Sequence, residues 1–218
     1  IGTAKQKTLT IYASANENIR TIIAFGINNW TANGKISIYK NAFNRNPDHR
    51  FRIEHSQVID PADFAKFSEY AVFPSVQPTH ATSDQRWAED RLGKERIKGA
   101  YAYRTLLNQY GMLAIGTDFP IEPIDPFNTL HAAVSRQNLE NEPSGGFYRE
   151  QSISIEQCMR GMTIWAAFAS FTENHSGSLE KGKNATFVLF DRPVSDQGGY
   201  KANFARMTFI EGVLVYGM

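Results

Sequence analysis

The sequence is poor in cysteine, in net charge and in long apolar runs. Its 218 residues contain one cysteine, which excludes an internal disulfide. The 23 basic and 22 acidic side chains nearly cancel, so nothing in the charge balance indicates a nucleic-acid partner or an anionic membrane. No apolar run approaches the roughly 20 residues that a membrane span requires. We expect a soluble globular protein, and we leave its compartment open because few cysteines fit both cytoplasm and periplasm.

Short catalytic motifs are also missing. The chain contains no HxH, HExxH or CxxC sequence, and it has neither a P-loop nor a GxGxxG stretch. It opens at Ile1, without a methionine and without an apolar signal segment. We therefore expect a fragment or a processed product, whose active site is assembled from residues far apart in sequence.

Apolar periodicity predicts four strand–helix units and a short β tail. The predicted strands are residues 8–13, 51–55, 71–76 and 112–116, with tail strands at 186–190 and 207–216. The predicted helices are residues 14–29, 60–70, 83–93, 94–110, 127–137 and 154–170, and residues 31–48 are mainly loop. Pro74 predicts an irregular or terminal position in its strand, and Gly111 predicts a helix stop.

Repeated strand–helix units imply the α/β class, with a parallel sheet covered by helices. Four such units are half of an eight-stranded (β/α)₈ barrel. Four parallel strands alone would leave two open sheet edges. We therefore expect either a missing N-terminal half of the same protein or self-association.

Polar side chains follow several predicted strands at the point where each strand ends. They are His55, Gln77 with His80, Asp118 and Tyr12. The carboxyl ends of parallel strands face the active site in α/β folds. Imidazole nitrogens and carboxylate oxygens suit a divalent metal ion, which can activate water near neutral pH. The pattern indicates metal-assisted hydrolysis.

Each of these residues also has a purely structural interpretation. A histidine at a strand end, such as His55, can be a hydrogen-bonded structural residue. Asp118 can cap the turn that follows it, and residues 77–80 can be an ordinary loop. Tyr12 can be a packing residue with a hydrogen-bonded hydroxyl. The residues alone leave these alternatives open.

Three stretches of sequence resemble amidohydrolase family 3, the YtcJ-like members of the amidohydrolase superfamily. They are RIEHSQ at 52–57, SVQPTHATSDQRWAEDRLG at 75–93 and GTDFPIEPIDPF at 116–127. The stretch GSLEKGKNATFVLFD at 177–191 is similar to the closing segment of that superfamily. The resemblance runs from about residue 8 to the C terminus, and the order and spacing of the motifs carry it.

The resemblance implies the C-terminal half of a TIM-like barrel over residues 1–176 and part of a small β-sandwich over residues 177–218. It implies a metal-dependent hydrolase of non-peptide C–N bonds, amides above all, acting on a small molecule. The implied metal is divalent, with zinc the first choice. His55 would bind metal, Asp118 would bind metal and act as the base, and His80 and Gln77 would contact substrate.

The chain departs from the family pattern in two ways. Tyr12, in the run YASAN, stands where the family usually has a metal-binding histidine. The HxH pair of the first barrel strand and the ligand of the fourth are absent from this sequence. The alternative is therefore a catalytically inactive, metal-free relative or fragment that only binds a small molecule.

Overall fold

The computed structural model describes residues 48–195 and 204–217. The predicted strand at 8–13, the helix at 14–29 and Tyr12 itself lie outside these residues. Helices and strands alternate through the larger of the two ranges, which confirms the α/β class. The half-barrel, the sandwich and the boundary at residue 177 stay predictions.

Three short parallel strands form one sheet. They are β1 (Arg52–Ile53), β2 (Phe73–Val76) and β3 (Ala114–Ile115), in the order β1-β2-β3. Ile53 lies opposite Pro74, and Val76 lies opposite Ile115.

Pro74 therefore belongs to the middle strand, and the prediction of a terminal or irregular position is wrong. The Phe73 N–H donates to the Phe51 carbonyl on the β1 side. Because successive residues of a parallel strand bond to alternate neighbours, the Pro74 nitrogen faces β3. The β3 ladder begins only opposite Ser75, so the missing N–H costs no pairing in this sheet.

The described part of the chain also contains seven α-helices and three 3₁₀ turns. The helices are α1 (Ala65–Glu69), α2 (Pro78–Asp84), α3 (Ala88–Arg96), α4 (Tyr103–Tyr110), α5 (Pro126–Ser135), α6 (Ile155–Met162) and α7 (Ile164–Ala169). The 3₁₀ turns are Pro61–Asp63, Ile97–Gly99 and Arg149–Gln151. Fully buried side chains from strands and helices form one core, among them Phe67, Phe73, Leu106, Leu113 and Leu130. None of these helices combines the length and apolar character that a membrane crossing requires.

Local capping signals in the sequence are confirmed. Ser154 and Gln157 form a reciprocal capping box at the start of α6. The Asp60 carboxylate accepts a hydrogen bond from the Ala62 N–H at 3.0 Å. Gly111 ends α4 in the left-handed conformation, with φ of 86°, where a side chain would be strained.

The predicted helices at 94–110 and 154–170 are each wrong as single helices. The first is interrupted because Ala100 is extended and bridges Val58, so a tertiary contact overrides helical periodicity. The second divides at Thr163, whose φ and ψ of −123° and −97° are not helical.

The predicted helix start at residue 83 is also wrong. Helix α2 begins at Pro78, directly after β2. Proline is favoured at the first helical position because it has no N–H to leave unpaired there. Residues 78–80 are thus helical, and the loop interpretation of 77–80 is excluded for them.

An antiparallel sheet ends the chain. It consists of β4 (Phe187–Phe190), β5 (Ala205–Ile210) and β6 (Val213–Gly217). The predicted strand at 207–216 is therefore two strands, because Glu211 and Gly212 both have positive φ and turn the chain. The sheet keeps many apolar side chains exposed, including Leu189, Ile210, Val213, Leu214, Val215 and Tyr216.

At Gly161, α6 packs directly against β3. A β-carbon at this position would lie 2.6 Å from Ile115 Cδ1 and 2.8 Å from the Leu113 carbonyl oxygen. The second atom is backbone and cannot move aside. The helix therefore needs glycine here for packing, against the general preference for alanine in helices.

We predict that Gly161→Ala lowers the free energy of unfolding by about 1–3 kcal/mol, the usual range for overpacking. Urea unfolding would measure it. Gly116→Ala is the matched control, because nothing lies within 4 Å of a β-carbon there. A Gly161→Ala chain as stable as the parent would contradict this account of the packing.

Candidate metal centre

Three side chains with metal-binding chemistry meet where the parallel strands end. His55 lies two residues after β1, His80 lies in the first turn of α2 after β2, and Asp118 lies three residues after β3. The carboxyl ends of parallel strands lie at one edge of a sheet, so the three residues meet at that edge. The structure thus brings together the two metal-binding residues predicted from the sequence and adds His80.

The Asp118 carboxylate lies close to both imidazole rings. Its Oδ2 atom is 3.5 Å from His80 Nε2 and 4.0 Å from His55 Nδ1. The rings of His55 and His80 are nearly parallel, with centroids 5.7 Å apart. One donor atom from each residue lies within 4.8 Å of the others. Within the described residues, this is the one group of three such side chains so close together.

Burial sets the protonation of His80, whose side chain is 12% exposed. Burial lowers the pKa of His80, the His55 ring acts in the same direction, and the carboxylates of Glu122, Asp118 and Asp84 oppose them. The neutral imidazole is therefore favoured at neutral pH, and a neutral ring is the form that binds metal.

Two left-handed turns aim the donors. His55 and Asp118 have φ of 67° and 60°, a region that residues other than glycine rarely adopt. The Ser56 hydroxyl steadies the first turn by donating to the Ile53 carbonyl at 3.0 Å. In the second turn the Phe119 N–H donates to the Thr117 hydroxyl oxygen at 3.2 Å. The Asp118 main-chain carbonyl accepts from the Ile121 N–H at 2.8 Å. Neither of these two hydrogen bonds uses the Asp118 side chain.

Gln77 contacts His55. Its side-chain oxygen lies 2.9 Å from His55 Nδ1, and its main-chain carbonyl accepts a hydrogen bond from the buried Tyr103 hydroxyl at 3.1 Å. When His55 Nδ1 carries the proton, it donates to the Gln77 side-chain oxygen, and this hydrogen bond holds the imidazole ring in one orientation. Such contacts commonly orient metal-binding histidines.

The donor set fits a divalent ion. Two imidazole nitrogens and one carboxylate oxygen are the ligands of many zinc sites. Bonds of about 2.0–2.2 Å at tetrahedral angles separate ligand atoms by about 3.4 Å, close to the 3.5 Å between His80 and Asp118. His80 Nε2 is also a buried polar atom without a hydrogen-bond partner in the described structure. An atom of this kind calls for a ligand.

The sequence alone does not mark His80 as a candidate metal donor. His80 was expected to contact substrate, and the structure puts it against Asp118. The signal was Pro78, because a helix that starts there holds His80 in its first turn, beside the strand end. Nothing in the sequence marks Asp84 and Tyr101, which contact Gln57 in the structure.

Comparison with known proteins gives a family match over most of the chain. The sequence model of a family described as "Amidohydrolase family" matches residues 21–216. Among curated proteins, the chain is 36% identical over 149 residues to Protein LONG AFTER FAR-RED 3 of Arabidopsis thaliana, covering 68% of this chain and 25% of that protein. It is 29% identical over 167 residues to the putative amidohydrolase YtcJ of Bacillus subtilis (strain 168), covering 76% and 32%.

A third relative is the N-substituted formamide deformylase of Arthrobacter pascens, 23% identical over 178 residues, with coverage of 78% and 32%. The chain thus spans about a quarter to a third of the length of these relatives.

Solved structures give a similar picture. An uncharacterized metal-dependent hydrolase from Pyrococcus furiosus is 29% identical, with a TM-score of 0.58 over 76% of this chain and 31% of that one. A second, from Pyrococcus horikoshii OT3, is 28% identical, with a TM-score of 0.60 over 71% and 30%.

Proposed function

Because this chain belongs to the amidohydrolase family, in its family 3, we propose that it supplies the catalytic edge of a metal-dependent hydrolase. The observation that carries the proposal is the meeting of His55, His80 and Asp118 donor atoms within 4.8 Å of one another. Structural relatives described as metal-dependent hydrolases support it. In this proposal the parallel strands belong to the C-terminal half of a TIM-like barrel, and the antiparallel strands belong to a small β-sandwich.

His55 and Asp118 would hold the ion, and His80 is placed to join them. When bound, a divalent ion such as zinc supplies Lewis acidity and lowers the pKa of water to about 7. The Asp118 carboxylate accepts a proton from the attacking water as the water oxygen bonds to the substrate carbonyl carbon. Asp118 then returns that proton to the leaving nitrogen as the C–N bond breaks.

We propose a small non-peptide amide as the substrate. The relative named as an N-substituted formamide deformylase supports this class of bond. Gln77 and His80 line the same edge, and we keep them as the residues beside which substrate would bind. N-substituted formamides are therefore the first probes for an activity assay.

In the full-length protein, Asp118→Asn should lower kcat by about a hundredfold or more, the usual scale of general-base catalysis. The change keeps the shape of the side chain but removes its charge and basicity. His55→Ala should first lower metal occupancy, and added metal should restore part of the activity. The measurements are kcat, metal content and melting temperature.

Asp125→Asn is the matched control for Asp118→Asn. Asp125 caps α5 by accepting from the Phe127 N–H at 2.9 Å, and asparagine caps about as well as aspartate. It should leave kcat unchanged. If Asp118→Asn also kept a near-normal kcat while lowering the melting temperature, the catalytic assignment would fail. The alternative of a metal-free protein that binds a small ligand would then be favoured.

The 218-residue chain alone should bind divalent metal weakly or not at all. Three donors on one edge are fewer than the family's full set, and Tyr12 stands where a histidine is usual. Zinc added to the purified chain should therefore be lost on dialysis, as elemental analysis would record. One tightly held zinc per chain would refute this expectation.

The same chain should associate with itself in solution or pair with an N-terminal half. In the sheet as described, β1 and β3 are edge strands, and β6 exposes most of its apolar side chains. Unpaired edges and apolar patches favour association. Light scattering should give a mass above 24.5 kDa that falls on dilution, and a stable compact monomer would disprove the prediction.

A further inference from the structure

A network of three side chains joins the segments that carry the two histidines. Gln57 Nε2 donates to Asp84 Oδ2 at 2.8 Å and to the Tyr101 hydroxyl oxygen at 3.1 Å. The Tyr101 hydroxyl donates to the same Asp84 oxygen at 2.7 Å. The three side chains therefore close a triangle of hydrogen bonds, although 44 residues separate Gln57 from Tyr101.

Each corner of the triangle belongs to a segment that matters for the site. Gln57 comes two residues after His55. Asp84 comes four residues after His80 in α2, so the two lie on the same side of that helix, one turn apart. Tyr101 lies in the turn before α4, with φ of 51°. The triangle thus joins the segment of one candidate ligand to the helix of the other.

The main chain reinforces the first of these links. The Tyr101 N–H donates to the Gln57 carbonyl at 2.8 Å, and the Ile59 N–H donates to the Gly99 carbonyl at 2.9 Å. A β-carbon at position 99 would lie 1.7 Å from the Ile59 oxygen, so only glycine permits this approach. Gln57 is therefore held through both its main chain and its side chain.

The direction of the hydrogen bonds is fixed by chemistry. Tyr101 is 1% exposed. Burial and the hydrogen bond to Asp84 raise the pKa of Tyr101 far above its ordinary value. Its hydroxyl stays protonated, so it donates to the carboxylate. Asp84 accepts from two donors at one oxygen, an arrangement that removing either donor would loosen.

We propose that Gln57, Asp84 and Tyr101 are positioning residues that fix His55 relative to His80. This inference rests on the proposed function, in which the two imidazoles act together. His55 sits in a left-handed turn, and its imidazole can hold one orientation only if the chain on either side of the turn is fixed. Ser56 fixes the near side through Ile53, and the triangle fixes the far side.

The test uses Tyr101→Phe and Asp84→Asn in the 218-residue chain. Tyr101→Phe removes two hydrogen bonds of the triangle, and Asp84→Asn replaces the charged acceptor with a neutral amide oxygen, in both cases with little change of shape. Tyr110→Phe is the control for the first, because Tyr110 packs on Phe73 at the opposite ends of the strands, with ring centroids 4.8 Å apart. Asp63→Asn is the control for the second, because Asp63 is a buried carboxylate paired with Lys66 at 2.6 Å, away from the site.

The first readout is the imidazole ¹⁵N spectrum of the metal-free chain, which has five histidines. Tyr101→Phe should shift or broaden the His55 and His80 signals, Asp84→Asn should do so at His55, and both should leave those of His131 and His175 in place. The controls should shift neither His55 nor His80. Unchanged His55 and His80 signals in folded test variants would overturn the inference.

The second readout is cobalt titration. Residues that orient metal ligands typically contribute about 10–100-fold to metal affinity, so both test variants should raise the cobalt Kd by at least tenfold over their controls. An equal Kd in variants and controls would overturn the inference. If the parent chain alone binds cobalt too weakly to titrate, as its small donor set predicts, the imidazole spectra decide whether the triangle positions His55.

Gln57→Leu covers the case in which Tyr101→Phe or Asp84→Asn does not fold. It removes the donor at a partly exposed position and leaves the main-chain pairing with Tyr101 intact. The same shifts at His55 and His80 are expected from it. Their absence in this folded variant would overturn the inference as well.

Discussion

The parallel register of three very short strands is the constraint on which the candidate site depends. Strands β1 and β3 have two residues each, yet each lies in register with β2. A slip of one residue moves a strand by about 3.3 Å. That is comparable to the 3.5 Å and 4.0 Å between Asp118 and the two imidazoles, so a single slip would separate the donors. The close packing of Gly161 on Ile115 helps to exclude such a slip in β3.

Strand register alone does not orient the side chains of His55 and Asp118. The left-handed turns after the strands do so, at a conformational cost. A left-handed residue other than glycine costs roughly 1–2 kcal/mol, and both His55 and Asp118 are in this region. The hydrogen bonds of Ser56, Thr117 and the Gln57 triangle offset that cost. Because strained residues tend to cluster at functional sites, the left-handed turns agree with the proposed role of these two residues.

What could be predicted from the sequence is what depends on near neighbours. The caps at Asp60, Ser154 and Gly111 involve contacts a few residues apart, and all three were predicted. The break near Tyr101 could not be predicted, because it arises from pairing with a segment more than 40 residues away. No proline marks the break at Thr163, and the nearby Gly161 is itself helical, so the sequence carries no stop signal at this point.

The site residues, too, were predictable where they depend on local sequence and unpredictable where they depend on distant contacts. Strand ends and family resemblance were enough to select His55 and Asp118, since the end of a strand is a local property. Predicting the contact of His80 with Asp118 requires knowing where α2 begins, and Pro78 indicates that position. Asp84 and Tyr101 carry no local signal of a role, because their importance comes from meeting Gln57 across 27 and 44 residues.

The packing of this chain has a consequence for metal binding. Donor atoms that the protein itself gathers lose little freedom when an ion binds, so less of the binding free energy goes into ordering them. That order comes from two sides. Gln77 contacts His55 and Tyr103 on one side, and the Gln57 triangle supports the other. Affinity at this edge should then be limited by the number of donors. Precise orientation and a small donor count together suit a site that other ligands complete, with positions left for water and substrate.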